Sequence, residues 1–389
     1  MTPVPALEAT VVEDASALEA ARAEWDALAV AADNTFSAPA LMLAWWHEAR
    51  EGDARLRTVI VREEGEIVAV APFFAQVSRP AGLELVELRF LGAGTLHRHT
   101  VLCRPGREAA AAAVIAGALR ASAPRPGSLV FESIDQRDPW PRLLARHWRG
   151  PAGAVLRHDF SMPSPTIHLD GRSFDAWMGA QSSNFRSEMR RKRRQIEKQG
   201  AVFRRTSEPH ELDADLASFA RLHRARWDTK ANESALDERI VALMARAGRD
   251  LLAEGRFRLW LIEADGQGVG AALFVTGGGD VQYWLGGHDP AWDRYSPSNL
   301  AILAGVEEAC AGGARRLDFA GGDQLYKRRF ADGDDPVSWR TLLARDARYP
   351  LTRAQLGPKH VRQTAWAAVR RLPPEKRAEL KRLLRRGDG

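Results

Sequence analysis

The run Tyr326-Lys327-Arg328-Arg329-Phe330 puts a phenol beside three consecutive cations. A phenol can donate a proton, and neighbouring cations can hold phosphates or lower its pKa. A solvated cationic turn anchored by Leu325 and Phe330 is the plainer reading of the same run. Ahead of it, Leu317-Asp318-Phe319 has the pattern of a short buried strand, followed by Ala320-Gly321-Gly322-Asp323. Two glycines directly after a strand allow close backbone approach to a ligand, or simply a tight bend. Further upstream, Tyr283-Trp284-Leu285-Gly286-Gly287 ends a strand, and Arg294-Tyr295-Ser296-Pro297-Ser298-Asn299 leads into a helix. Ser296 suits an N-cap and Pro297 the first helical position. Such a start offers free amides and a favourable dipole to an anion, and Arg294 adds a full charge. An ordinary capped helix satisfies the pattern equally.

A basic segment precedes these motifs. From Arg186 to Lys198 there are seven cations and two acids. Arg186, Arg190 and Arg194 fall at i, i+4 and i+8 and share a face, while Phe185, Met189 and Ile196 supply apolar contacts. The face fits a phosphate-rich donor, a nucleic acid backbone, or a solvated surface with Glu188 and Lys192 as a helix pair.

These motifs need a frame, and the chain repeats one. Arg55-Leu56-Arg57 opens a strand-like run that turns at Glu64-Gly65; Arg256-Phe257-Arg258 opens another that turns at Asp265-Gly266. Start and turn share an offset of 201 residues. Each is a β-hairpin, because the acid-Gly pair supplies the positive φ of a tight turn. Trp25-Asp26 matches Trp227-Asp228, and Phe90-Leu91-Gly92 matches Trp284-Leu285-Gly286. Ala116-Gly117 with Phe131 matches Ala304-Gly305 with Phe319, at an offset of 188 residues. Two copies of helix–strand–strand–strand–helix–strand make an α+β chain with mixed sheets flanked by helices. The expected division is 1–165, 166–348 and a basic helical tail at 349–389, with Met162-Pro163-Ser164-Pro165 as the junction. His223, Arg226, Trp227 and Lys230 are expected in the loop after the second copy's first helix.

Composition narrows the function classes. Cys103 and Cys310 are the only cysteines, which excludes a disulfide framework or a CxxC site and fits a reducing cytoplasm. No secretory pattern precedes Asp14, and the longest apolar run, Ala109 to Leu119, is about half a membrane span. His97-x-His99 lacks a third ligand, so no metal is expected. Gly266-Gln267-Gly268-Val269-Gly270 sits in a hairpin and is not a dinucleotide fingerprint. The +6 net charge divides unevenly: Leu351 to Gly389 has 11 Lys plus Arg against three acids. That tail packs, stays solvated, or contacts anionic lipid or a protein partner.

The motifs in the second copy resemble the GNAT acyltransferases, present here twice. Tyr326-Lys327-x-x-Phe330 is similar to the segment after that superfamily's fifth strand. Asn184-Phe185-Arg186, Tyr295-Ser296-Pro297, and Asp318-Phe319 with Gly322-Asp323 resemble the CelD-like group associated with cellulose and exopolysaccharide biosynthesis. The loop Arg294-x-x-Pro297-x-Asn299 departs from the superfamily by lacking both glycines. Lys192 to Gly200 is similar to the basic helix of Fem-like peptidyltransferases. The resemblance implies an N-acyltransferase whose donor is acetyl-CoA or another acyl-CoA and whose acceptor is an amine, such as an amino sugar or polysaccharide precursor. Tyr326 would protonate the departing thiolate and Asp323 accept or orient the amine proton. Leu285, Gly286 and Gly287 would polarise the carbonyl through backbone amides. Arg294, Ser296, Ser298 and Asn299 would hold the pyrophosphate, and Arg226, Trp227, Lys327 and Asp318 the acceptor. A Fem-like transferase using aminoacyl-tRNA and a non-catalytic scaffold in polysaccharide synthesis are the alternatives.

Overall fold

The computed structural model describes residues 6–148, 153–228 and 236–358. The first half runs β1 (Leu7–Val12), α1 (Ala15–Ala20), α2 (Arg22–Ala31), α3 (Pro39–Glu48), β2 (Ala54–Leu56), β3 (Thr58–Glu63), β4 (Glu66–Ala71) and β5 (Phe73–Ser78). It continues with β6 (Leu85–Phe90), β7 (Leu102–Cys103), α4 (Glu108–Ala121), β8 (Ser128–Asp135), α5 (Trp140–His147) and β9 (Ala154–Met162). The second half runs β10 (Pro165–His168), α6 (Phe174–Ala180), α7 (Ser183–Glu197), β11 (Val202–Arg205), α8 (Leu212–Asp228), α9 (Glu238–Leu251), β12 (Phe257–Ala264) and β13 (Gln267–Gly277). It closes with β14 (Asp280–His288), α10 (Pro297–Ala311), β15 (Arg316–Asp318), α11 (Leu325–Phe330), β16 (Gly333–Asp334) and β17 (Val337–Ala344). This is the α+β plan expected from the repeat: mixed sheets flanked by helices.

The hairpin turns form as their chemistry requires. Glu64 and Gly65 have φ of 50° and 89°, and Asp265 and Gly266 have 51° and 71°. Positive φ at each central residue is the turn geometry that matches strand twist. Register confirms the duplication. In the first half β6 pairs in parallel with β8 over Glu87–Arg89 and Ser128–Val130. In the second, β14 pairs in parallel with β15 over Asp280–Gln282 and Arg316–Asp318. Beyond these three pairs each strand couple splays apart, leaving a gap.

The halves differ along their hairpins. β13 is one continuous strand, buried from Gly268 to Gly277. Its counterpart is broken at Pro72 into β4 and β5, because proline cannot donate to a ladder. The first half therefore has two sheets, β1-β3-β4-β7 and β2-β5-β6-β8-β17-β9, whereas the second has one, β11-β12-β13-β14-β15-β10-β16.

One strand also crosses between the halves. β17, the last strand of the second half's run, lies between β8 and β9 in the first half's sheet. β10, which follows β9, lies between β15 and β16. The chain crosses between sheets at Pro163–Ser164 and at Asp335–Pro336, where Ser164 N donates to Asp334 at 2.7 Å and Asp335 N to Ser164 O at 2.9 Å. One apolar core joins the halves: Leu41, Leu43 and Trp45 of α3 cluster with Leu243, Met244 and Ala247 of α9 and with Trp284 of β14. Residues 349–358 are helical, and the basic tail beyond them lies outside the described residues. Among the described residues no helix is long and apolar enough to cross a membrane.

Candidate active site

Beside the gap between β14 and β15 lie three of the polar side chains that the sequence singles out: Arg226, Ser298 and Tyr326. The floor of the gap is set by a bulge. Leu273 pairs with Leu285 and Phe274 with Tyr283, so Trp284 is an extra residue in β14. The bulge sends Tyr283 into the second half's own core and Trp284 into the core shared with the first half. Past Gln282, β14 has no strand partner on its β15 side. Its backbone there is an open edge that can receive a ligand. α8 crosses so close that a Cβ on Gly287 would stand 2.4 Å from His223 N. His223 Nδ1 is 3.0 Å from the Gly286 carbonyl oxygen.

Two side chains meet over Gly286 and two more join them. A Cβ there would meet the Tyr283 hydroxyl at 2.5 Å and Ser298 Oγ at 3.4 Å. From α8, Arg226 reaches Ser298 Oγ at 3.5 Å and lies over the Tyr326 ring at 5.1 Å. Arg226 thus belongs to helix α8 and not to a loop after it, and it spans the gap from that helix. Trp227 is on the same helix; its side chain and Lys230 lie outside the described residues. Burial raises Tyr326 above the usual phenol range, opposed by the Arg226 charge and a hydrogen bond with Tyr283. Burial also raises Tyr283 well above that range. Each phenol therefore keeps its proton at neutral pH.

The start of α10 forms the gap's other wall. Pro297 takes the first turn, as expected, and Ser298 is buried at 5% exposure. Ser296 does occupy the N-cap position, but its side chain does not cap. It adopts the left-handed conformation (φ 55°), and its backbone carbonyl accepts from Asn299 and Leu300. Arg294 is exposed, stacks on Tyr295 at 4.6 Å, and its carbonyl accepts from Lys192 of α7. The basic helix is thereby docked beside the α10 start. Within it, Arg190, Arg194 and Lys198 have no acidic partner among the described residues.

Two expected acceptor groups have other work. Asp318 is fully buried and is held by Arg98 from the first half, by Ser164 Oγ at 2.8 Å and by Ala320 N at 2.6 Å. Burial would raise its pKa, but Arg98 and then Arg316 more than offset this and hold it below the usual carboxyl value. Lys327 is 6% exposed, and its Nζ donates to Ala320 O and Gly321 O, each at 3.2 Å. Between them they pin Ala320, whose φ of 59° is costly for a residue with a Cβ. That turn starts the loop to α11, so Arg98 and Asp318 position Tyr326 from below. Asp323 stands apart: it is exposed and its carboxylate pairs with Arg328 at 2.6 Å.

Sequence reasoning named two further groups without giving either a role in this site. Tyr283 was hidden by the bulge, because matching Leu-Gly to Leu-Gly aligned Phe90 with Trp284. His97, on the first half's loop, lies beside Ser133 and Phe36. Its pKa is pushed down to about 4, by burial first and then by the Lys327 charge. Among the described residues no group of three or more His, Cys, Asp or Glu side chains is placed to hold a metal ion.

The family model described as "Acetyltransferase (GNAT) domain" matches residues 183–328, within the second half. No curated protein matches the sequence. The structure of FemX superposes with a TM-score of 0.61 at 13% identity, covering 88% of this chain and 99% of that one. L-PGS from Bacillus licheniformis gives 0.52 at 13% identity, covering 89% and 96%. The C-terminal domain of a putative lysylphosphatidylglycerol synthetase from Agrobacterium fabrum gives 0.51 at 10%, covering 87% and 96%. At these identities the likeness is one of fold.

Proposed function

We propose that the β14–β15 gap is the active site of an N-acyltransferase that takes an acyl group from acyl-coenzyme A. The observation that carries this reading is a cluster in which Tyr283 and Ser298 meet over Gly286, and Arg226 links Ser298 to Tyr326, beside the open edge of β14. The cradle suits a thioester. Gly286 leaves space that a Cβ would fill, and open-edge amides at Leu285 to Gly287 are donors for a carbonyl oxygen on which charge develops. Arg294 and the α10 start at Ser296, Ser298 and Asn299 supply positive potential for the pyrophosphate, with Lys192 bracing the loop.

In this mechanism the acceptor amine attacks the thioester carbon and the C–S bond breaks. The thiolate takes the Tyr326 proton and leaves as a thiol. The nitrogen loses one proton to solvent as the amide forms, and that proton restores Tyr326. Asp323 is exposed and paired with Arg328, and this mechanism gives it no step. Solvent serves as the base in the simplest form. The acceptor is an amine, with the amino sugar or polysaccharide precursor of the CelD-like resemblance as the first to screen.

Isothermal titration with acetyl-coenzyme A and a longer acyl-coenzyme A tests the donor. Saturable binding, weakened by Ser298→Tyr, supports it; absence of binding to either thioester removes the proposal. One observation favours a second reading: Arg190, Arg194 and Lys198 form an exposed cationic face along α7, which suits an aminoacyl-tRNA donor. Transfer from aminoacyl-tRNA, with none from any coenzyme A thioester, would select it.

A further inference from the structure

A second phenol faces the gap and has no part in the mechanism above. Tyr283 stands where β14 parts from β15 and is 2% exposed. Its ring packs against Phe274 (5.5 Å) and Phe319 (5.6 Å) and meets Tyr326 edge-on at 6.4 Å. Its oxygen lies over the Gly286 Cα, where any Cβ would collide with it. Tyr326 and Arg226 are its polar neighbours, with Arg226 over the Tyr326 ring at 5.1 Å. A guanidinium has donors only, so toward Arg226 the Tyr283 oxygen can only accept, which leaves its single proton for the Tyr326 oxygen.

We propose that Tyr283 is a positioning residue for Tyr326. It donates to the Tyr326 oxygen while Arg226 holds its own, which turns the Tyr326 proton away from Tyr283 and into the gap. When Tyr326 gives that proton to the leaving sulfur, the phenolate left behind still has the Tyr283 donor. Tyr283 keeps its own proton throughout. The first half shows that packing does not require the hydroxyl: at the same register Phe90 sits between Phe73 (4.8 Å) and Phe131 (6.1 Å). The role in turnover rests on the acyl-transfer reading; the hydrogen bond does not.

The test exploits the small number of tyrosines, four in the chain: Tyr283, Tyr295, Tyr326 and Tyr349. The full-length protein is labelled with ring-carbon 13Cζ tyrosine, and each resonance is assigned by single Tyr→Phe variants. In Tyr283→Phe, Tyr326 is expected to titrate about one pH unit higher, a tenfold loss of acidity. If Tyr326 stays protonated to the alkaline limit, the lost bond is read instead as a change of its Cζ shift at neutral pH. Gly286→Ala, which wedges a Cβ against the Tyr283 oxygen, should act in the same direction and covers the case in which Tyr283→Phe does not fold. An unchanged Tyr326 resonance in the folded variant, or a Tyr326 that becomes more acidic, overturns the proposal. None of these readouts needs a donor, so they decide even if no acyl-coenzyme A binds. Where transfer is measured, Tyr283→Phe should lower kcat about tenfold and leave donor affinity unchanged; a loss confined to KM counts against it.

Discussion

Phe90 and Tyr283 occupy the same register in the two halves, each one residue past the parallel pairing and each between two phenylalanines. After Phe90 the chain turns at Gly92 (φ 83°) and folds back, stacking His99 on Phe90 at 5.4 Å and closing the gap with aromatic surface. After Tyr283 the bulge at Trp284 lets the strand run on to His288, and the gap stays lined with hydroxyls and a guanidinium. The helix starts diverge likewise. α4 opens with Glu108, a carboxylate that would repel a phosphate, while the first turn of α10 has no acid. One scaffold thus carries an apolar plug and a polar cleft, and a few residues decide which. The plugged half is not idle. Its returning loop sends Arg98 to Asp318, beneath the turn that leads to Tyr326.

If the halves are interdependent, separating them should have the largest effect. Fragments 1–165 and 166–389, expressed singly, should show no cooperative thermal unfolding by circular dichroism, and should regain it when coexpressed. Two independently folding fragments would break the comparison. Next comes Arg98→Ala, which strands a fully buried carboxylate and should cost about 3–5 kcal/mol in urea unfolding. Adding Asp318→Asn should recover part of the loss, and two additive losses would show that the pair is not coupled. Third, Tyr326→Phe should lower kcat about 100-fold with donor affinity intact, whereas Phe90→Tyr in the plugged half should leave turnover unchanged.

A pH effect belongs to the returning loop. His97 has a folded pKa of about 4 against 6.5 for the free imidazole, so the unfolded chain binds the extra proton between those values. Its contribution to stability is complete above pH 6.5 and is lost as pH falls toward 4, about 3 kcal/mol. His97→Gln should flatten that part of the stability profile; an unchanged slope removes His97 as its source. Smallest of all, Arg294→Ala should weaken donor binding a few-fold in calorimetry, because the side chain is exposed and screened. Glu108→Gln at the opposite helix start should not alter it.

Local chemistry explains what was legible beforehand. The Glu64-Gly65 and Asp265-Gly266 turns, Pro297 in the first turn of α10 and the tandem α+β plan all follow from short-range constraints visible in a few residues. The site was half legible. Tyr326, Arg226, Ser298 and Gly286 do come together. Asp318 and Lys327 instead serve a strained turn, because their burial depends on Arg98 and on carbonyls that folding brings near. The place of Tyr283 was missed through a single extra residue, since a bulge shifts every later match by one. The crossing of β17 left no local trace at all.

That crossing also sets an order of events during synthesis. β17 completes the first half's sheet by pairing with β8, about 200 residues earlier in the chain. A chain emerging from its N-terminus therefore holds β8 and β9 as unmatched edges while the whole second half is made. Such edges are the surfaces through which immature chains associate, and long-range strand pairing is slow to close. Maturation of the N-terminal half thus awaits β17, the last strand among the described residues. A stalled or truncated product ending before Val337 would have the β14–β15 gap nearly complete and its supporting half still open.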